Sequence, residues 1–260
     1  MSVAVRPEGR PVVLVVVNDG TCPPALVGEW LLEEGLALRI VEACDGVEVP
    51  TEVPQDVDAV LSLGGTVGAN DDDDAPWLPA ERALLRHAVD SGVPVLGLCL
   101  GGQLLAASTG GRVDVAEVTE IGVSEVSRTM DGLGDAVIGA AVPVSGTTVP
   151  AAQWHLDHIS ELPDGAVLLM TNAACHVQAF RLGESAYGLQ MHPEVTPLIF
   201  QDWVDECPAA VPRTDCTAQE AADSVWAREP DLITAWRPAI RAWGDLVWNR
   251  ARTLGVVSSA

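Results

Sequence analysis

Cys99 stands at the end of the apolar run Pro94-Val-Leu-Gly-Leu98 and directly before Leu100-Gly-Gly-Gln103. A buried strand that runs into a cysteine, with Gly97, Gly101 and Gly102 clearing side chains from the turn, has the form of a nucleophile elbow. In an elbow the reactive atom is held exposed on a tight, strained strand-to-helix junction. Backbone NH groups at the helix start favour the thiolate, so such a sulfur can attack at neutral pH. The same cysteine would also serve as a small core residue, and the segment alone leaves both readings open. A second segment, Tyr187-Gly-Leu-Gln-Met-His192-Pro-Glu194, ends a strand in a histidine with a carboxylate two residues on. Cys99, His192 and Glu194 are then a nucleophile, a general acid/base and the group that orients it, and together the two segments are far more specific than either alone.

These residues need elements to hold them. Short Val/Leu/Ile runs alternate with segments of helical period, the signature of a parallel sheet covered on both faces. Strands are predicted at 12–17, 36–41, 57–63 and 94–98, with helices at 25–34 and 77–89. Leu78, Leu84, Leu85 and Ala88 make one apolar face of the second helix, and Gly35 and Gly92 stand where helix C-caps belong. From about Thr119 to Met191 the pattern becomes β segments broken by Pro143, Pro150, Pro163 and Gly183, which predicts an antiparallel insertion before the chain returns to the main sheet. Beyond Pro197, Ile233, Trp236, Ile240, Trp243 and Val247 keep a helical spacing, and Pro238 is expected to start or kink a helix there. This Trp stripe reads as core packing of a C-terminal helical extension, with a partner-binding face as the alternative. The expected organisation is a catalytic domain over 1–200 and a helical extension over 201–260.

Composition narrows the chemistry. The chain has 260 residues and a formal net charge of -23, and all 14 of its Lys+Arg cations are arginine. Having no lysine removes Schiff-base and pyridoxal-phosphate mechanisms and the P-loop lysine. The acidity argues against nucleic acid as a direct partner. At 48% hydrophobic residues there is material for a large core, yet the opening run 12–17 is too short for a membrane span or a signal segment. The six cysteines show no metal-ligand spacing, so free thiols in a reducing cytoplasm are expected, with no metal and no cofactor.

With these residues in place, the chain resembles a class I glutamine amidotransferase of the free-standing bacterial kind, similar to the amidotransferase domain of GMP synthetase. The likeness runs from about Val12 to Thr196. It rests on Leu63-Gly-Gly-Thr66, the Asp-rich stretch before Pro76-Trp77-Leu78, the elbow, Trp154-His-Leu-Asp-His158 with Leu162-Pro-Asp-Gly165, and Gln190-Met-His-Pro-Glu194. The resemblance implies a flavodoxin-like α/β fold with a mostly parallel sheet. It also implies a Cys99 thioester formed from glutamine, with His192 moving protons and Glu194 holding it. Leu100 NH and an NH of the Gly64-Gly65 turn, assigned to Gly65, would form the oxyanion hole, and Gly64 and Gln103 would bind substrate. The ammonia would go to a synthetase partner in trans, since no nucleotide loop follows Glu194.

Other features are weighed on their own chemistry. Asp71, Asp72, Asp73 and Asp74 read as a solvated loop before a helix rather than a metal site. His155 and Asp157 fall on one strand face and His158 on the other, so His155 and Asp157 are candidates for a supporting or interface pair. His87 and His176 show no evident partner, and Cys22, Cys44, Cys175, Cys207 and Cys216 lack the elbow context. Two alternatives to the amidotransferase stand: a γ-glutamyl hydrolase using the same three residues on a γ-glutamyl substrate, and a catalytically silent regulatory homologue. The oligomeric state is left open.

Overall fold

In the computed structural model, residues 9–206 and 216–255 are described, so Cys207 lies outside the described residues. The predicted strands form where the apolar runs are continuous: β1 (Val12–Val17) is buried at every position, as are β3 (Ala59–Ser62) and β4 (Val95–Leu98), while β2 (Ala37–Glu42) is partly open. Residues buried on both sides of a sheet have no polar alternation, and these strands show none. Two helices join them: α1 (Ala25–Glu33), and α2 (Leu78–Asp90), which buries Leu78, Leu84, Leu85 and Ala88 as expected. Gly35 (φ 81°) and Gly92 (φ 62°) follow these helices in the left-handed conformation that a side chain would resist.

The elbow follows β4 and opens α3 (Leu100–Ser108). Then come the long strand β5 (Arg112–Arg128), the short helix α4 (Met130–Gly134), β6 (Thr148–Glu161), β7 (Val167–Thr171), β8 (Ala179–Leu182) and β9 (Ala186–Leu189). All nine strands belong to one sheet of order β2-β1-β3-β4-β9-β8-β7-β5-β6. Pairing is parallel from β2 through β9 and antiparallel from β9 outward. The expected insertion therefore begins earlier than Thr119, at Arg112. The polar, partly exposed outer positions of this strand hide it from a reading that looks for buried runs.

The chain closes with α5 (Pro197–Glu206) and α6 (Ala218–Thr253). Pro238 neither starts nor ends a helix: α6 runs through both Pro230 and Pro238, and its start is set instead by a capping box between Thr217 and Glu220. Trp236, Ile240, Trp243 and Val247 pack into the same core as β1, β3 and β4. The indole NH groups of Trp236 and Trp243 donate to the carbonyls of Pro150 (2.8 Å) and Val95 (3.2 Å). These side chains are committed to the interior, so the stripe is not a partner-binding face. Among the described residues no helix is long and apolar enough to cross a membrane.

Candidate active site

Four parallel strands deliver their C-terminal ends to one side of the sheet, where α/β folds place their sites. Cys99 is at that edge with φ 48° and ψ −108°; among the described residues only it and Ala25 are non-glycine residues with positive φ. The strained turn is possible because its neighbours have no side chains. A Cβ on Gly97 would lie 2.5 Å from the Gly101 carbonyl oxygen, and one on Gly101 would collide with the backbone and hydroxyl of Ser62. The Cys99 NH donates to the Leu189 carbonyl (2.7 Å) and its own carbonyl accepts from the Gln103 NH (3.0 Å), so the elbow is tied to β9 and to α3. At the start of α3 the first NH groups, Leu100 among them, have no acceptor within the helix.

His192 comes to this sulfur from the chain after β9. Its Nδ1 lies 2.7 Å from Glu194 Oε1, and its Nε2 faces the Trp154 carbonyl at 3.4 Å. The Cys99 thiol points at the same carbonyl, 3.7 Å away. A carboxylate on Nδ1 leaves Nε2 as the nitrogen turned toward the thiol. Burial works against a charged imidazole, but Glu194 and Cys99 beside it outweigh burial and hold His192 well above the ordinary histidine value. The Trp203 indole meets the imidazole edge-on, with ring centroids 4.8 Å apart, and donates its NH to the Thr21 carbonyl (2.8 Å). Gly64 has its α-carbon against this ring: a Cβ there would stand 3.1 Å from His192 Cε1.

Cys99, Leu100, Gly65, Gln103, His155, Asp157 and His192 all line one cleft of about 310 Å³, with Glu194 behind His192 and Gly64 beside it. The residues singled out in the sequence are thus brought together. Gln103 is 3% exposed, and its Nε2 donates to the Asp157 carbonyl (3.1 Å) and to Gln190 Oε1 (3.3 Å). Its amide hydrogens already serve the protein, which leaves its oxygen as the end available to a ligand. Gln190, not identified in the sequence, donates from Nε2 to Cys99 Sγ at 3.6 Å. Trp154 also escaped notice, because it contributes a main-chain carbonyl. Cys22 is a second thiol in the cleft wall; burial, then the charges of Asp19, Glu194 and Cys99, push it far above the usual thiol range.

Of the weaker candidates, Asp72 pairs with Arg82 (2.7 Å) and Asp71 accepts from the Gly68 NH (2.8 Å), as a solvated loop before α2 would. His87 does have a partner: its Nδ1 accepts from the Val53 NH at 3.2 Å. His176 is exposed. A further cluster lies behind the cleft, with ligand atoms of Glu120, His155 and Cys175 within 4.8 Å of one another and all three residues buried. Glu120 accepts from Gln178 Nε2 (2.6 Å), Asn172 Nδ2 (2.7 Å) and Ser124 Oγ (3.0 Å), and faces His155 Nε2 at 3.2 Å. Its lone pairs are filled by protein donors. Burial opposes its charge, yet His155 and these donors hold it below the usual carboxylate range.

This arrangement of thiol, imidazole and carboxylate on an α/β elbow has counterparts among known proteins. Residues 31–202 match the family described as Glutamine amidotransferase class-I. A protein of Natronomonas pharaonis, named as the glutamine-hydrolyzing component of a two-part GMP synthase, is 33% identical over 190 residues, 69% of this chain and 93% of its own length. The protein of the same name from Halobacterium salinarum is 31% identical, over 65% of this chain and 90% of its own. The crystal structure of a glutamine amidotransferase from Methylobacillus flagellatus superposes with a TM-score of 0.79 over 92% of this chain and 95% of that one, at 27% identity. From the match over most of the chain and the shared architecture, the chain belongs to the class I glutamine amidotransferase family and is an enzyme of the glutaminase/amidotransferase type.

Proposed function

We propose that Cys99, His192 and Glu194 are the residues that hydrolyse the glutamine side-chain amide. The observation that carries this reading is the placement of Cys99 on a positive-φ junction with His192 between it and Glu194. The His192 imidazole takes the Cys99 proton. The thiolate sulfur then attacks the carboxamide carbon, and the tetrahedral oxyanion is held by NH groups of Leu100 and Gly65. The imidazolium returns its proton to the departing nitrogen, the C–N bond breaks, and ammonia leaves a γ-glutamyl thioester on Cys99. Water, deprotonated by His192, attacks the thioester, the C–S bond breaks, and glutamate departs. Glu194 accepts from Nδ1 throughout and stabilises the imidazolium. Gly64 lets the turn approach His192 and the substrate, and Gln103 Oε1 takes a donor of the glutamine.

The ammonia is used by a synthetase partner in trans. Support comes from the two archaeal relatives named as one component of GMP synthase, whose alignments cover 69% and 65% of this chain. The site of action is the cytoplasm, in keeping with the free thiols at Cys22, Cys44, Cys99, Cys175 and Cys216. The test has two arms. Ammonia release is compared between glutamine and γ-glutamyl peptides, and Cys99 is trapped with a glutamine-analogue electrophile while bound proteins are identified. Preference for glutamine and recovery of a synthetase are expected; preference for the peptides assigns the protein to γ-glutamyl hydrolysis.

A further inference from the structure

Every hydrogen-bonding atom around Cys99 can be followed to the next. Gln190 Nε2 donates to the sulfur, and Gln190 Oε1 accepts from Gln103 Nε2. The same Gln103 nitrogen donates to the Asp157 carbonyl, which is also reached by His155 Nδ1 at 3.0 Å. His155 Nε2 faces Glu120, Glu120 accepts from Gln178 Nε2, and the Gln178 carbonyl accepts the Gln190 NH at 2.9 Å. The chain of contacts closes on itself. It begins and ends at the glutamine that touches the nucleophile.

The imidazole is the junction that decides how stiff this ring is. A carbonyl oxygen only accepts, so His155 Nδ1 carries a proton. Glu120 is held as a carboxylate by amide and hydroxyl donors from three elements: Asn172 and Gln178 in the chain between and beside β7 and β8, and Ser124 on β5. For the Nε2 contact to be a hydrogen bond as well, that nitrogen also carries a proton. The His155 side chain is 1% exposed and that of Glu120 7%, so water does not replace either contact. The other titratable group of the cluster is the Cys175 thiol, which burial and Glu120 push up to about 12 and which donates to the Val177 carbonyl. Geometry also shows why the strand needs a clamp here. The β5–β6 ladder breaks between Val115 and Glu120, where β5 carries extra residues, so β6 lacks ladder partners just where it forms the cleft wall.

We propose that Glu120 and His155 are positioning residues for the reaction at Cys99: a buried carboxylate–imidazolium pair, with both ring nitrogens protonated, that fixes the Asp157 carbonyl and through it Gln103 and Gln190. This rests on the reading of Cys99 as the nucleophile. Neither residue touches the reacting atoms. Their effect is on where Gln103 and Gln190 stand, and so falls on glutamine more than on the intrinsic reactivity of the thiol.

Two measurements on the full-length protein test this. The first needs no variant beyond one for assignment: with only five histidines in the sequence, imidazole nitrogen NMR, assigned by a His155→Asn spectrum, is expected to show His155 with two NH groups across pH 6–8. A singly protonated ring overturns the pair. The second compares Glu120→Gln and Glu120→Asp. In folded Glu120→Gln, kcat/KM on glutamine is expected to fall roughly ten- to hundredfold, while alkylation of Cys99 by iodoacetamide stays within about threefold. Glu120→Asp is expected to recover part of the loss. A kcat/KM within about twofold of the parent, or an equal fall in alkylation, overturns the positioning role. If instead the Cys99→Ala variant still hydrolyses glutamine, the nucleophile reading fails, and the NMR result for His155 stands apart from it.

Discussion

Cysteine, histidine and glutamate come together twice in this molecule, as Cys99, His192 and Glu194 at the cleft and as Cys175, His155 and Glu120 behind it. The residue types are the same, and the environments differ in every respect that governs reactivity. Cys99 sits on a strained strand-to-helix junction with helix NH groups beside it, whereas Cys175 is in a turn pinned by Asn172 Oδ1, 2.7 Å from its NH, with its thiol donating to the Val177 carbonyl. His192 commits one nitrogen to a carboxylate and keeps the other toward the thiol. His155 has both nitrogens committed, to Glu120 and to the Asp157 carbonyl. An imidazole with no free nitrogen cannot move a proton. The rear cluster therefore holds structure in place, and the front one is arranged to react.

Replacing each of the two cysteines in turn tests this contrast most severely. Cys99→Ala is expected to lower glutamine hydrolysis by roughly 10⁴-fold or more and to abolish the thioester seen by mass spectrometry under rapid quench. Cys175→Ala is expected to retain activity within about threefold, the only loss being some stability from a small buried void. If Cys175→Ala were the inactive one, the assignment of the two clusters would be reversed. The carboxylates should separate as well. Glu194→Gln removes the acceptor that fixes the His192 tautomer, and a fall in kcat of roughly 10³-fold is expected, by analogy with other catalytic His–carboxylate pairs. This is larger than the effect of Glu120→Gln.

A third buried carboxylate shows what happens when a cage is incomplete. Glu81, on α2 beneath the elbow, accepts on Oε1 from Ser62 Oγ (2.6 Å) and Asn18 Nδ2 (3.3 Å), but its buried Oε2 has no partner among the described residues. Burial, only partly offset by those two donors, raises it to about 7, in contrast to the lowered Glu120. The two carboxylates bias stability in opposite directions. A group raised in the folded state binds its proton there more tightly, so its stabilisation is full below the unfolded value and is lost as pH rises through about 7. Glu120 is lowered, so its contribution is present above the unfolded value and is lost on acidification. Between pH 5 and 8, Glu81 alone should cost about 3 kcal/mol, an order-of-magnitude figure. Denaturant melts over that range are expected to show the decline in the parent and its absence in Glu81→Gln.

The front cluster was legible in the sequence and the rear one largely was not, for a physical reason. An elbow needs glycines at fixed places, and a continuous apolar strand announces where it begins; Gly97, Gly101 and Cys99 carry that information in their identities. Gln190 and Glu120 are polar residues buried in or beside strands, where alternation predicts exposure, and only partners distant in sequence satisfy them. Trp154 acts through a backbone carbonyl, which no side-chain pattern encodes. His155 and Asp157 were visible as a pair, but not their connection through the Asp157 carbonyl. The Trp stripe was legible as a helical face and ambiguous in what it faces, because a core and a docking surface select the same residues; the hydrogen bonds of Trp236 and Trp243 decide it. Pro238 misled because a proline inside a helix breaks one hydrogen bond, a loss that packing of a long buried face offsets.

The smallest expected effect concerns the space that the two imidazoles have. Gly64 lies against His192, and the Cβ introduced by Gly64→Ala would stand 3.1 Å from His192 Cε1 and 3.7 Å from Cys22 Sγ. The ring must yield by a few tenths of an ångström. It has little room to do so, since Glu194 holds its Nδ1 and Trp203 packs against it. The displacement should tilt Nε2 relative to the sulfur, and a fall in kcat of roughly tenfold is expected from such a misplacement, with thermal stability nearly unchanged. His155 has no glycine Cβ position against it, and a comparable shift there would be taken up by two hydrogen bonds instead of by a proton path. Iodoacetamide alkylation of Cys99 followed across pH separates the causes. A profile displaced in Gly64→Ala reports a disturbed thiol–imidazole pair, whereas an unchanged profile with lower kcat places the role of Gly64 in the approach of the substrate.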